Sequence, residues 1–218
     1  MSDLLEVNGM VLSSMPIGVY DRRLVILTRE RGKISAFAKG ARRPSSSLLA
    51  GSRPFSYGTM MLYEGRSSYT VRSMEIQHYF EKLTLDLEKT CYGSYFLEFA
   101  DYYGKEGLDG TPLLKVLYVA LLALEKGKMP LPLIRRVFEL KTMEINGEYA
   151  EQPLRPVGEA AAYTWDFVLR TPAEKVFSFT LEPHALEEFS SSVEELKRYY
   201  LDREFKSLEI LEGLSGGF

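Results

Sequence analysis

Between Arg22 and Arg53 stand Arg22, Arg23, Arg29, Arg31, Lys33, Lys39, Arg42, Arg43 and Arg53, against a single acid, Glu30. Guanidinium groups present forked N–H donors that match phosphate oxygens, and a polyanion bound this way releases condensed counterions. Phe37, Phe55 and Tyr57 lie in the same region, and aromatic faces can stack on bases. The chemistry on offer is recognition of a nucleic-acid backbone. A basic run can equally be a solvated surface, and its aromatics can be core, so the elements that carry them have to decide.

Other chemistries find little support. His78 and His184 fall far apart at element boundaries, with no nucleophile at a recognisable spacing. Cys91, the one cysteine, sits on an apolar helical stripe, where a buried, inert thiol is expected; it also excludes an internal disulfide or a multi-cysteine metal site. No G-x-x-x-x-G-K-S/T phosphate loop occurs, and no His/Asp/Glu cluster suggests a two-metal nuclease. An enzyme is not expected. Arg135 and Arg136, flanked by Leu133, Ile134, Val137 and Phe138, are a further candidate. A basic pair beside apolar residues suits a short acidic and aromatic peptide. By residue type alone, an amphipathic helix whose arginines pair with Glu139 or nearby acids is the better reading.

The elements that must position these residues differ between the two parts of the chain. Residues 1–78 read as β. Strands are predicted at Glu6 to Ser14, Arg22 to Thr28, Lys33 to Lys39, Tyr57 to Tyr63 and Ser68 to Ile76. Ile34, Ala36 and Ala38 alternate with Lys33, Ser35, Phe37 and Lys39. Five short strands with polar, glycine-containing connections suggest a closed barrel. Gly40 to Pro54 is too polar for a strand and reads as a long connection. From Tyr79 the period turns helical. One helix is expected along Phe80, Leu83, Leu87, Cys91 and Tyr95 to about Tyr103, and a buried one from Thr111–Pro112 to Gly127. A third follows Pro132, a short one spans Glu159 to Arg170, and a last begins near Pro183 and carries Tyr199 to Leu208.

Charge divides the same way. Of the 218 residues, positions 1–78 hold eleven Lys/Arg against six Asp/Glu, a net +5, whereas positions 79–218 hold 16 against 24, a net −8. The basic part is suited to a polyanion and the acidic part to another task. Met1 to Asn8 lacks the pattern of an export signal, and Leu113 to Leu124 is too short to cross a bilayer. A cytoplasmic protein with no membrane partner is expected.

The run Leu27 to Pro44 (L-T-R-E-R-G-K-I-S-A-F-A-K-G-A-R-R-P) resembles the N-terminal signature of the RecO family. So do Val11-Leu12, Tyr20-Asp21, Leu49-Ala50-Gly51 and Pro54-Phe55. Arg136 with Phe138-Glu139-Leu140-Lys141 is similar to the family's third-helix motif, and Tyr200 to Leu208 to its C-terminal motif.

The resemblance implies an α+β fold: a five-stranded OB-fold nucleic-acid-binding domain over 1–78, followed by an α-helical domain over 79–218. It implies a recombination mediator of the RecF pathway, associated with the nucleoid. Such a protein binds single- and double-stranded DNA, anneals complementary strands, and with RecR helps load RecA onto DNA coated by single-strand-binding protein (SSB). The alternative is an adaptor recruited by the SSB tail with little direct DNA binding. Under the resemblance the nine basic residues between Arg22 and Arg53 would contact phosphates, and Arg135/Arg136 would take the acidic SSB C-terminal tail, which reverses the preference drawn from residue types. Many relatives carry a four-cysteine zinc module after the third helix. The matching stretch here, Tyr149 to Thr180, has neither cysteine nor histidine. No metal and no cofactor are expected, and packing around Tyr163, Trp165, Phe167, Phe177 and Phe179 would hold the segment instead.

Overall fold

Alternating apolar residues make the strands of the N-terminal region. The computed structural model describes residues 4–66 and 68–215. Its strands are β1 (Leu4–Ile17), β2 (Asp21–Thr28), β3 (Gly32–Ala38), β4 (Tyr57–Glu64) and β5 (Tyr69–His78). They close into a barrel in the order β1-β2-β3-β5-β4, antiparallel except for the β3–β5 pair. That is the Greek-key order of an OB-fold. β1 serves two neighbours, β4 along its first half and β2 along its second, with a register shift between Val11 and Ser13. Such a shift bends a strand and lets it turn a barrel corner.

The barrel core is Val7, Val11, Leu24, Ile26, Ile34, Ala36, Ala38, Met60, Leu62, Tyr69 and Val71, joined by Ala41 and Leu48 of the β3–β4 connection. That connection has no strand, as its composition implies, yet it is anchored. Its turns are tied by Arg43 N–H to the Gly40 carbonyl and Ser52 N–H to the Leu48 carbonyl, both at 3.0 Å. Phe55 is buried in the left-handed region at φ 70°, its N–H donating to Val11.

Residues 97–114 cluster with the barrel strands in one unit; residues 82–96 and 115–218 form a second. In the first unit the β2–β3 turn is backed by main chain. Lys33 N–H donates to the Lys105 carbonyl, and Gly107 and Gly110 N–H donate to the Arg31 and Arg29 carbonyls at 3.0–3.1 Å. Gly32 closes this turn at φ +63°, where a Cβ would strike the Lys105 carbonyl.

The helices are α1 (Glu81–Thr84), α2 (Leu87–Tyr103), α3 (Thr111–Lys126), α4 (Leu131–Ile145), α5 (Glu159–Arg170), α6 (Ala173–Val176), α7 (Pro183–Tyr200) and α8 (Lys206–Ser215). Pro112, Pro132 and Pro183 stand in first turns, where a missing N–H costs nothing, and Gly127 and Gly147 end helices at positive φ. In the second unit α4, α5 and α7 pack on one another.

Three expectations need correction. The helix from Phe80 to Tyr103 is two helices, because the Asp86 carboxylate accepts from Lys89 N–H and starts α2 afresh. Leu87 is consequently 69% exposed and Cys91 only half-buried. The last predicted helix stops at Tyr200; Leu201 and Phe205 bury across a non-helical link, and α8 follows. In 149–180, Tyr163 is exposed and Trp165 is buried, with Ala161 and Val168 buried on the same face of α5, Phe189 edge-on to its ring at 6.4 Å, and its indole N–H donating to the Ala150 carbonyl at 3.0 Å.

Candidate nucleic-acid interface

Register divides the nine candidate cations between Arg22 and Arg53 into two sets. Arg22 and Arg23 begin β2, opposite Ala38 and Phe37 of β3, and Lys39 follows β3 directly. The β3–β4 connection adds Arg42, Arg43 and Arg53. Arg42 N–H donates to the Tyr20 carbonyl at 2.8 Å and its guanidinium to the Gly18 carbonyl at 3.4 Å, tying the connection to the β1–β2 turn. The Arg43 guanidinium lies 4.9 Å from the centre of the Tyr20 ring. Arg23 donates to Ser35 Oγ at 2.9 Å, and Arg22 reaches the Ser52 carbonyl at 3.1 Å. Burial, then the neighbouring charges of Arg53 and Arg42, push the Arg22 guanidinium below its ordinary value. Among the described residues, none of these six cations makes an ion pair. Five are exposed and Arg22 is half-buried, so one end of the barrel carries crowded positive charge, with Asp21, which accepts from Gly40 N–H at 2.7 Å, as an acid among them.

Arg29, Arg31 and Lys33 stand at the other end of β2 and β3, about 20 Å away along strands that rise about 3.3 Å per residue. They have acidic neighbours. Arg31 is 3.9 Å from Glu64, Lys33 is 3.2 Å from Asp101, and the Arg29 charge acts on Asp109. The Lys33 ammonium also donates to the Asp101 carbonyl at 2.5 Å. Structure therefore gathers six of the nine candidates and leaves three partly neutralised elsewhere. Of the aromatic candidates, Phe37 and Tyr57 are half-buried and Phe55 is buried, so Phe55 offers no stacking face. Tyr20, which residue spacing did not single out, is 48% exposed and lies within the cationic end. The signal was available in Gly18-Val19-Tyr20, an apolar pair in a turn.

The second pair of candidates occupies a different environment. Arg135 and Arg136 on α4 converge with Glu194 and Lys197 of α7 and Tyr95 of α2 upon Glu139, which is wholly buried. Glu139 accepts from the Tyr95 hydroxyl at 2.5 Å, Arg136 at 2.8 Å, Arg135 at 3.0 Å and Lys197 at 3.3 Å. Burial alone would raise the Glu139 carboxyl. Arg136, Lys197 and Arg135, with the Tyr95 hydroxyl, outweigh it and hold the group well below the usual carboxylate range. The same burial, with the Glu139 charge, pushes the Tyr95 phenol well up. Burial also opposes charge on Arg136, but Glu139 and Glu194 hold its guanidinium above its ordinary value. The pairing with Glu139 that residue types suggested is thus present. A groove of about 890 Å³ opens beside it, lined by Arg136, Lys197, Arg198 and Arg203, by the acids Glu194, Asp202, Glu204 and Glu209, and by Leu201, Phe205 and Leu208. Among the described residues, no group of three or more His, Cys, Asp or Glu side chains is placed to hold a metal ion, and no helix is long and apolar enough to cross a membrane.

Comparison with known proteins bears directly on this geometry. The family model "Recombination protein O N terminal" matches residues 1–80, and "Recombination protein O C terminal" matches residues 84–152. The DNA repair protein RecO of Alkaliphilus metalliredigens is 38% identical over 171 residues, covering 75% of this chain and 67% of its own. The chain belongs to the RecO family. RecO proteins of Acetivibrio thermocellus and Moorella thermoacetica are 25% and 27% identical over 96% and 99% of this chain, and over 97% and 93% of their own. RecO is a family of DNA repair and recombination, so a barrel end of unpaired arginines stands in a protein whose relatives work on DNA damage. The C-terminal family match ends at residue 152, just where the cysteine-free segment begins.

Proposed function

We propose that the chain is a non-enzymatic recombination mediator that binds single- and double-stranded DNA through the cationic end of its barrel. The carrying observation is the cluster of Arg22, Arg23, Lys39, Arg42, Arg43 and Arg53, gathered around the β1–β2 turn without ion pairs among the described residues. Backbone phosphates are the ligand such a cluster lacks. Two strands drawn to one positive surface repel each other less, which favours annealing and consumes no nucleotide. With RecR, the protein would help load RecA onto SSB-coated DNA. Arg29, Arg31 and Lys33 would contribute long-range field more than contacts, since acids stand beside them.

The helical domain, 79–218 in this reading, would deliver the protein to SSB. An acidic, phenylalanine-ending tail would meet Arg136, Lys197 and Arg198 in the groove beside Leu201, Phe205 and Leu208, in competition with the acids Glu194, Asp202, Glu204 and Glu209 that also line it. Because Arg136 and Lys197 already share Glu194, which is partly exposed, a tail carboxylate would compete with Glu194 for them. The same groove favours a second reading, an adaptor held by SSB with little DNA affinity of its own. The segment 149–180 takes the place of the family's zinc module and is held by Trp165 and its apolar neighbours.

A strand-annealing assay tests the proposal. Two complementary dye-labelled oligonucleotides, each coated with SSB, should pair faster when the protein is added without ATP. An unchanged annealing rate in the presence of measurable tail binding would leave the adaptor reading in its place.

A further inference from the structure

The turn joining β1 and β2 carries a second kind of surface inside the cationic end. Val19 is 72% exposed, Met15 63%, Tyr20 48% and Ile17 39%. One hairpin thus leaves four large apolar or aromatic side chains in water, close together in sequence, which the barrel gains nothing by displaying. The patch interleaves with the arginines, since Met15 pairs with Arg23 and Pro16 with Arg22 across the strands. It is also braced. Arg42 donates to the carbonyls of Tyr20 and Gly18, Arg43 covers the Tyr20 ring, and Gly18 turns the chain at φ +53°.

The geometry points to the Val19–Tyr20 tip as the element that selects unpaired DNA, the Tyr20 ring stacking on exposed bases and Val19 packing beside it, while the surrounding arginines hold the phosphates. This inference rests on the phosphate-binding reading above and adds strand selectivity to it. Charge complementarity names the occupant: an apolar patch ringed by unpaired cations suits a ligand that is anionic along its backbone and flat and apolar between its charges. A single strand offers both at once. In a duplex the base faces are already stacked on one another, so the tip meets only the backbone and gains little. The arginines then set affinity and salt dependence, and the tip sets the ratio between single and double strand.

Binding of the full chain to a single strand, and to a duplex of equal length containing the same sequence, tests this at several salt concentrations. Val19→Ser and Tyr20→Leu alter exposed side chains, and Tyr20→Phe keeps the ring that Arg43 covers. Thermal unfolding confirms that each variant folds. The expected result is a loss of single-strand affinity of at least about fivefold for Tyr20→Leu, which removes the stacking ring, and a smaller loss for Val19→Ser, which removes only apolar contact. Duplex affinity should stay within about twofold and the salt slope should not change. Tyr20→Phe should match the parent. A 2-aminopurine base in the single strand should change fluorescence on binding the parent and Tyr20→Phe, and less with Tyr20→Leu. If the parent binds DNA but single-strand and duplex affinities fall together, or neither falls, the tip is not a selector and phosphate binding survives. If the parent binds neither DNA, both readings fall.

Discussion

Removing the Arg42 and Arg43 side chains should weaken single-strand binding through counterion release, by an amount the structure allows to be worked out. Six cations at the barrel end lack ion-pair partners among the described residues, so up to six phosphates can be neutralised there. Each contact with a single strand contributes about −0.7 to the slope of log K against log salt, giving about −4 for the parent. Arg42→Ala/Arg43→Ala removes two contacts and should bring the slope near −3. At 0.1 M salt each lost contact is worth about 0.7 in log K, so affinity should drop about 25-fold. The fold should tolerate the change, because both side chains are exposed and the connection is tied by main-chain bonds from Arg42 and Arg43 N–H. Arg29→Ala/Arg31→Ala is the matched control: it removes the same formal charge from the end where Asp109 and Glu64 already offset it. Fluorescence anisotropy with a labelled oligonucleotide across a salt series reads both quantities. If the two double variants lose affinity and slope equally, the division of the barrel into two ends has no functional meaning.

Glu139→Gln strips a wholly buried carboxylate from two buried cations, Arg135 and Lys197, and the half-buried Arg136, and should cost about 3–5 kcal/mol, measured by urea unfolding at pH 7. Its folded-state carboxyl lies below the unfolded value, so the stability it confers is complete at neutral pH and declines as pH falls below about 4.5. Urea midpoints taken from pH 7 to pH 3 should therefore fall more steeply for the parent than for Glu139→Gln. Trp165→Ala should cost about 3–5 kcal/mol and unfold the cysteine-free segment without metal involvement; native Trp165 emission should be blue-shifted, as suits a side chain 1% exposed. Arg136→Ala should weaken binding of an acidic, phenylalanine-ending peptide by at least about tenfold in calorimetry, since a charge-assisted bond is worth about 1.5–3 kcal/mol; unchanged peptide affinity would remove the groove from the account.

The barrel is legible in the sequence because inward and outward residues alternate. Ile34, Ala36 and Ala38 mark the inner face of β3 unaided. The connection after β3 is legible as a connection, but not as part of the core. Ala41 stands alone among polar residues and Leu48 sits in the short run Leu48-Leu49-Ala50 with no strand or helix period, and only closure of the barrel shows that they join its core. The basic run was readable as chemistry but not as geometry. Arg23 and Arg29 are six positions apart in a sequence, yet on a strand that spacing spans most of the barrel. The acids that offset the far set, Asp101 and Asp109, come from a distant part of the chain that no local pattern connects to Lys33 or Arg29. The α1–α2 break was hidden because Leu83, Leu87 and Cys91 keep helical spacing across it, while a single Asp86 cap decides the outcome.

Anisotropy titration of a single-stranded oligonucleotide with the unaltered chain at increasing salt tests the central claim most directly. The account predicts tight binding at low salt that weakens with a slope near −4. Absence of binding at low salt, or affinity indifferent to salt, would contradict a phosphate-binding barrel.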